Sequence, residues 1–216
     1  MSTIQYFAIA ATLYCIVSLL VHFVKIVRLG APNDKSEPSG SVKEGVLYAN
    51  TRAMMPDQKE SAYLHIPSYA VGMLFHIGLF CSLLFFVLSF FPFFNNRIES
   101  GCNGHLILAI PPAIGTVCGF ILFFRRLFSK DLKVLSMPDD FISTGLVTLF
   151  LLMTTLYLCM PTCCGSITIL YYISSILLFL YLPLGKLRHV VYYFAARYHL
   201  GFFYGWRNVW PNHEKK

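Results

Sequence analysis

The sequence predicts an all-α protein: an integral membrane bundle of five transmembrane helices, with the N-terminus outside and the C-terminus cytoplasmic. Three observations predict it. Of 216 residues, 56% are hydrophobic and only 12% are charged, a balance too apolar for a soluble domain of this length. Charge-free runs cover Met1 to Val24, Ser61 to Asn96, Ser100 to Phe124 and Phe141 to Gly185; about 20 residues cross the hydrocarbon, so the last run holds two crossings. The basic residues, finally, gather at alternate ends of these runs, as cytoplasmic loops require.

The elements follow in order. The first helix is expected over about Gln5 to Arg28. It is read as a retained span because it lacks a basic leader and a small-residue cleavage site, and Lys25 and Arg28 follow it directly. Residues 30–60, rich in Pro, Ser, Gly and Lys, read as a cytoplasmic loop lying against a partner or fraying. The second helix is expected over Ile66 to Phe91 and the third over His105 to Phe124. In the third, Gly115 and Gly119 form a GxxxG spacing that favours close helix approach. The fourth runs from Phe141 to Met160, with Asp139 and Asp140 as caps at its N-terminus. Pro161 and Gly165 break the long final run, leaving a fifth helix over Ile167 to Arg197. Residues 198–216 are a cytoplasmic tail, and the whole chain reads as one transmembrane domain.

Lys25, Arg28, Lys35, Lys43, Arg52 and Lys59 flank the first loop, Arg125, Arg126, Lys130 and Lys133 the third, and Lys186, Arg188, Arg197 and Arg207 the final helix and tail. Only Arg97 falls on the other side. The net charge of +7 therefore reflects topology, with an inner rim suited to anionic lipid, and not nucleic-acid binding. Among seven cysteines, Cys15, Cys81 and Cys118 lie within spans; Cys102, Cys163 and Cys164 lie in outside loops, either as a disulfide of Cys102 with one of the pair or as packing thiols. No CxxC pair is present, which argues against a zinc or iron–sulfur site in this chain.

Two histidines stand out. His76 lies in the second charge-free run and His189 just after the last, and an imidazole in hydrocarbon needs something to bind it. Counted from Pro67, His76 is roughly 13 Å into its helix, and His189 is roughly 12 Å in from Arg197. Antiparallel neighbours would present both at one level, as bundles do when they hold a haem iron from two sides. Gly72 and Gly78 flank His76 and would admit a flat ring, while Lys186 and Arg188 stand beside His189 where propionates would lie. The alternative reading is that both histidines bond to hydroxyls or carbonyls between helices.

The runs Gly72-Met-Leu-Phe-His-Ile-Gly78 and Leu182-Pro-Leu-Gly-Lys-Leu-Arg-His189 resemble the second and fifth helices of the gamma-subunit family of respiratory nitrate reductase. That family includes the cytochrome b subunits of heterodisulfide-reductase-type complexes and some membrane-bound hydrogenases. The resemblance implies a haem b ligated by His76 and His189, carrying electrons between the quinone pool and a cytoplasmic iron–sulfur subunit in the cell's inner membrane. The family's second, outer pair is missing: ten residues after His76 stands Phe86, and eighteen before His189 stands Tyr171, so one haem is expected. A second haem between His65 and His199 would lie about 15 Å nearer the cytoplasm, at or beyond the membrane surface. Quinone contacts are expected among Lys59, Glu60, Tyr63, His65, Ser68, Tyr69, Arg197, Tyr198 and His199. His22, His105 and His213 suggest only solvation or packing.

The competing class is a cofactor-free membrane anchor or assembly subunit of a respiratory complex. A small-solute transporter fits less well, since no paired acidic and basic residues occur within the spans. No nucleophile with an oriented base and no phosphate-binding loop is present, so the chain is expected to be an electron-transfer subunit and not a complete enzyme.

Overall fold

A computed structural model describes residues 2–30, 34–58, 64–99, 104–160 and 165–211. All regular structure among them is helical. The helices are α1 (Thr3–Arg28), α2 (Val42–Asn50), α3 (Ile66–Leu88), α4 (Pro92–Glu99), α5 (Gly104–Phe128), α6 (Lys130–Leu135), α7 (Pro138–Cys159), α8 (Gly165–Tyr181) and α9 (His189–Trp206), with single tighter turns at Arg52–Met54, Pro56–Gln58 and Lys186–Arg188. Four helices are long and apolar enough to cross a membrane, or five if α8 and the segment Lys186–Trp206 count as one broken span. The protein is thus a multi-pass membrane protein. The predicted disulfide partners Cys102, Cys163 and Cys164, and the quinone candidates Lys59, Glu60 and Tyr63, lie outside the described residues.

The fifth span differs from its expectation. One helix over Ile167 to Arg197 is replaced by α8, a turn at 182–185, and α9. Pro183 has no N–H to continue the ladder and disfavours helical backbone at Leu182. Gly185 then closes the turn, its N–H donating to the Tyr181 carbonyl at 3.0 Å. An added Cβ at Gly185 would run into the Tyr181 ring and stand 2.8 Å from the Asp139 carboxylate.

The chain divides into two compact units: Met1–Ile16 with Pro67–Leu187, and Val17–Ile66 with Arg188–Lys216. In the first, α7 is the central helix, with Phe150, Leu151 and Leu158 fully buried. Hydroxyls inside it bond to their own helix: Ser82 to the Gly78 carbonyl at 2.9 Å, Thr154 to Phe150 and Thr148 to Thr144 at 2.7 Å. This satisfies them where no water is at hand. The GxxxG expectation is met by close approach. A Cβ on Gly78 would lie 2.7 Å from the Gly115 Cα, and one on Gly119 would overlap Thr148. Gly78, expected beside the haem, is therefore committed to helix packing.

Polar clusters mark both ends of α7. Asp140 and Tyr157 are separated by about 25 Å of helix rise, close to the thickness of a hydrocarbon core. At one end Tyr157 donates to Asn95 at 2.9 Å, Asn95 to the Ser89 carbonyl at 2.9 Å, and Gln5 to the Tyr172 hydroxyl at 3.0 Å. At the other, Asp140 caps its helix by accepting the Met137 N–H at 3.0 Å, as expected, and pairs with Lys186 at 2.6 Å and Arg126 at 3.5 Å. Beside it the Tyr181 hydroxyl donates to Asp139, which also accepts from Ser143 at 3.3 Å. Asp140→Asn keeps the shape and loses the charge; Lys186 is 60% exposed and can turn to water, so thermal unfolding in detergent should show a loss of about 1 kcal/mol.

In the second unit, part of the 30–60 segment expected as a loop is helical, and the final helix runs past its expected end at Arg197. Ser41 caps α2, accepting the Glu44 N–H at 3.3 Å, and α2 lies backbone to backbone against α9, which runs on to Trp206. A Cβ on Gly201 would fall 2.5 Å from the Val46 Cα, and one on Gly205 3.0 Å from the Gly45 Cα. Around this seam Ser39 and Gly40 donate their N–H groups to the Trp206 carbonyl at 2.9 and 3.2 Å, and the Trp206 indole donates to the Ser36 carbonyl at 3.0 Å. Arg197 donates to the Ala49 carbonyl at the end of α2.

Arg207 pairs with Asp34 at 2.7 Å. The Ser36 hydroxyl and N–H, and then Arg207, hold the Asp34 carboxyl below its usual range. A depressed carboxylate contributes stability that is present above its ordinary pKa of about 3.9 and lost as pH falls through the lowered value. Tryptophan emission should stay constant from about pH 8 to 5 and change only below that carboxylate range, and Asp34→Asn should remove this acid-dependent step.

Candidate haem-ligand and quinone site

His76 is exposed on α3 in the first unit. Its Nδ1 lies 2.7 Å from the Gly72 carbonyl oxygen one turn back, and the Phe75 ring stands edge-on at 5.8 Å. A carbonyl only accepts, so Nδ1 carries a proton, and in the neutral ring the lone pair is then on Nε2. That is the tautomer a metal ligand needs, with the second nitrogen bonded to fix the ring. A Cβ built on Gly72 meets nothing within 4 Å. The backbone there is bare on the side of the helix that carries His76, so a flat macrocycle could lie against it. His76 and Gly72 thus have the features that one face of a haem site needs.

His189 opens α9, in the second unit, directly after the Lys186–Arg188 turn. Arg188 precedes it and holds its guanidinium 6.0 Å from the Tyr192 ring centroid. Lys186, expected at the propionates, has its ammonium on the Asp140 carboxylate. The sequence expectation missed this because Asp140 is 46 residues away and reads locally as a cap.

The positions of the absent outer pair are filled. The rings of Phe86 and Tyr171 are 6.4 Å apart, Tyr171 stacks on Tyr157 at 4.5 Å and 6°, and Phe179 lies 5.0 Å from Phe86. Phe86 and Tyr171 are 2% and 0% exposed. His65 sits in the turn that leads into α3, Tyr69 is half-buried on the first turn of that helix, and Ser68 accepts from Arg125 at 2.7 Å. His199 is exposed on α9, edge-on to Tyr198 at 5.7 Å.

One contact had no sequence signal. His22, expected only to be packed or solvated, places Nδ1 3.3 Å from the Tyr192 hydroxyl. The residues are 170 apart, and neither helix pattern alone marks them.

No protein-family model, no curated protein and no solved structure matches this chain.

Proposed function

We propose that this protein is the haem b-carrying membrane subunit of an oxidoreductase complex, passing electrons between the quinone pool and an iron–sulfur subunit on the cytoplasmic face of the inner membrane. His76 and His189 are its axial ligands. The observation that carries the reading is the His76–Gly72 bond: it turns a lone-pair nitrogen outward beside a bare stretch of backbone, which hydrocarbon alone cannot satisfy.

A bound haem would supply one-electron chemistry at low potential cost in structural change. The chain's own contribution is to hold and orient. The Gly72 carbonyl fixes the His76 ring plane and raises the basicity of Nε2. Gly72 leaves room for the ring face, and Arg188 supplies positive charge for a propionate. The aromatic packing of Phe86, Tyr171, Tyr157 and Phe179 supports one haem and not two. The basic inner rim suits both an iron–sulfur subunit with an acidic face and anionic lipid.

The resemblance of the His76 and His189 runs to the nitrate reductase gamma-subunit family supplies the class of partner. Reduced-minus-oxidised spectra of the purified full-length chain test the reading. A b-type signal is expected; a colourless, folded chain would replace it with the cofactor-free anchor.

A further inference from the structure

We propose that Asp139 and Asp140 clamp the chain on both sides of the break at 182–185 and so act as positioning residues for His189. The positioning rests on the haem reading above; the clamp itself does not. Both carboxylates belong to the first turn of α7, where a cap needs only the helix's own N–H groups. Each reaches much further. Asp139 accepts the Tyr181 hydroxyl, 42 residues on, and Asp140 accepts the Lys186 ammonium, 46 residues on. Tyr181 is the last residue of α8 and Lys186 the first of the tight turn beyond the break. Consecutive residues of a helix point about 100° apart, so two adjacent carboxylates can hold the two ends of one turn.

The backbone closes this break without aiming it. Leu184 and Gly185 donate their N–H groups to the Tyr181 carbonyl at 2.9 and 3.0 Å, Pro183 has none to give, and Gly185 lacks the Cβ that would restrict its rotation. The side chains remove that freedom. Asp140 has both oxygens engaged: Oδ2 accepts the Met137 N–H at 3.0 Å, and Oδ1 takes Lys186 at 2.6 Å with Arg126 at 3.5 Å. Arg126 also donates to the Asp140 carbonyl at 3.0 Å and to the Thr144 hydroxyl at 3.3 Å. It is therefore tied to α7, and Lys186 is the cation that comes from the turn. Asp139 is steadied by Ser143 at 3.3 Å. Pro183 and Gly185 are buried, and a Cβ on Gly185 would stand 2.8 Å from the Asp139 carboxylate. The clamp closes over the turn with no room for a side chain there.

Lys186–Arg188 is a single tight turn, and His189 follows it directly. At about 2 Å per residue, the clamped Lys186 backbone stands about 6 Å before the histidine. An axial ligand must be held within about 0.5 Å and 10–20° of its bonding geometry by the groups behind it. The Gly72 carbonyl does this for His76 through the ring; the clamp does it for His189 through the backbone. The carboxylates thus govern how the imidazole is set and take no part in the redox step.

The test uses the full-length chain in nanodiscs with Tyr181→Phe and Lys186→Met, which each remove one arm of the clamp, their double variant, and Lys186→Arg, which keeps the charge. Amide exchange over 184–191, read by mass spectrometry, should quicken about tenfold in Tyr181→Phe and several-fold in Lys186→Met, whose ammonium is 60% exposed. Exchange in the middle of α7 and α8 should keep the parent rate, and Lys186→Arg should match the parent throughout. Haem-loaded Tyr181→Phe, in which no charge changes, should show displaced EPR g values and a shifted midpoint potential, which a uniform loss of stability would not move. Exchange at 184–191 that is unchanged in the double variant, or raised equally along α7 and α8, would overturn the clamp. Quickened exchange with the parent's g values and potential would overturn the positioning of His189. A colourless parent would end the haem reading and the positioning with it, while the exchange rates still decide the clamp.

Discussion

Removing the His76 side chain is expected to abolish the b-type absorbance of the purified protein. In His76→Ala one axial bond is lost outright, and the remaining imidazole must hold the porphyrin alone in a site whose other wall is bare backbone. His189→Ala should do the same from the other ligand. The sharper variant is Gly72→Leu. Nothing lies within 4 Å of a Cβ at that position, and replacing a helical glycine ordinarily stabilises by about 0.5–1 kcal/mol. A cofactor-free anchor should therefore accept Gly72→Leu with an unchanged or raised unfolding temperature. A haem lying against that backbone would be displaced by the isobutyl group, so the same variant should fold well and lose most of its haem. Retention of full haem by Gly72→Leu would show that the ring does not lie over residue 72; retention by His76→Ala would remove the ligand assignment altogether.

The helical membrane architecture was legible because it follows from one rule. Backbone groups in hydrocarbon must bond internally, so a charge-free run of sufficient length becomes a helix wherever Pro and Gly permit. α1, α3, α5 and α7 begin and end within a few residues of the expected bounds for that reason. The same rule, read through Leu182-Pro-Leu-Gly, gave one helix where there are two: the run stays apolar, but Pro183 has no N–H to continue the ladder.

His76 was legible as a residue out of place in its solvent, and its tautomer was not, because that depends on a carbonyl one turn away taking a bond it shares with the helix ladder. The contacts of Lys186 and His22 were not legible for another reason. Their partners Asp140 and Tyr192 are distant in sequence, and each looks locally like something ordinary, a cap and an interfacial aromatic.

Residues 30–60 were read as loop from proline, serine, glycine and lysine content, and Gly45 within them packs against the glycine of the last prediction. Gly201→Ala is expected to destabilise the second unit by about 3 kcal/mol, at the upper end of what overpacking costs. The added methyl would stand 2.5 Å from the Val46 Cα and 2.8 Å from the Gly45 carbonyl oxygen. Both are backbone atoms, so no rotamer change relieves the clash, and α2 must move off α9. The intrinsic gain of alanine over glycine in a helix, under about 1 kcal/mol, has the opposite sign and is too small to offset it. Separation of the helices would stretch the bonds from Ser39 and Gly40 to the Trp206 carbonyl. Limited proteolysis should then cut within 34–58 in Gly201→Ala at temperatures where the parent chain is intact. Haem content should fall with it, since His189 opens the same helix. Gly72→Ala, in open space, is the control and should resist protease like the parent. Equal protease resistance and unfolding temperature in Gly201→Ala and the parent would mean that α2 does not pack on α9 through these glycines.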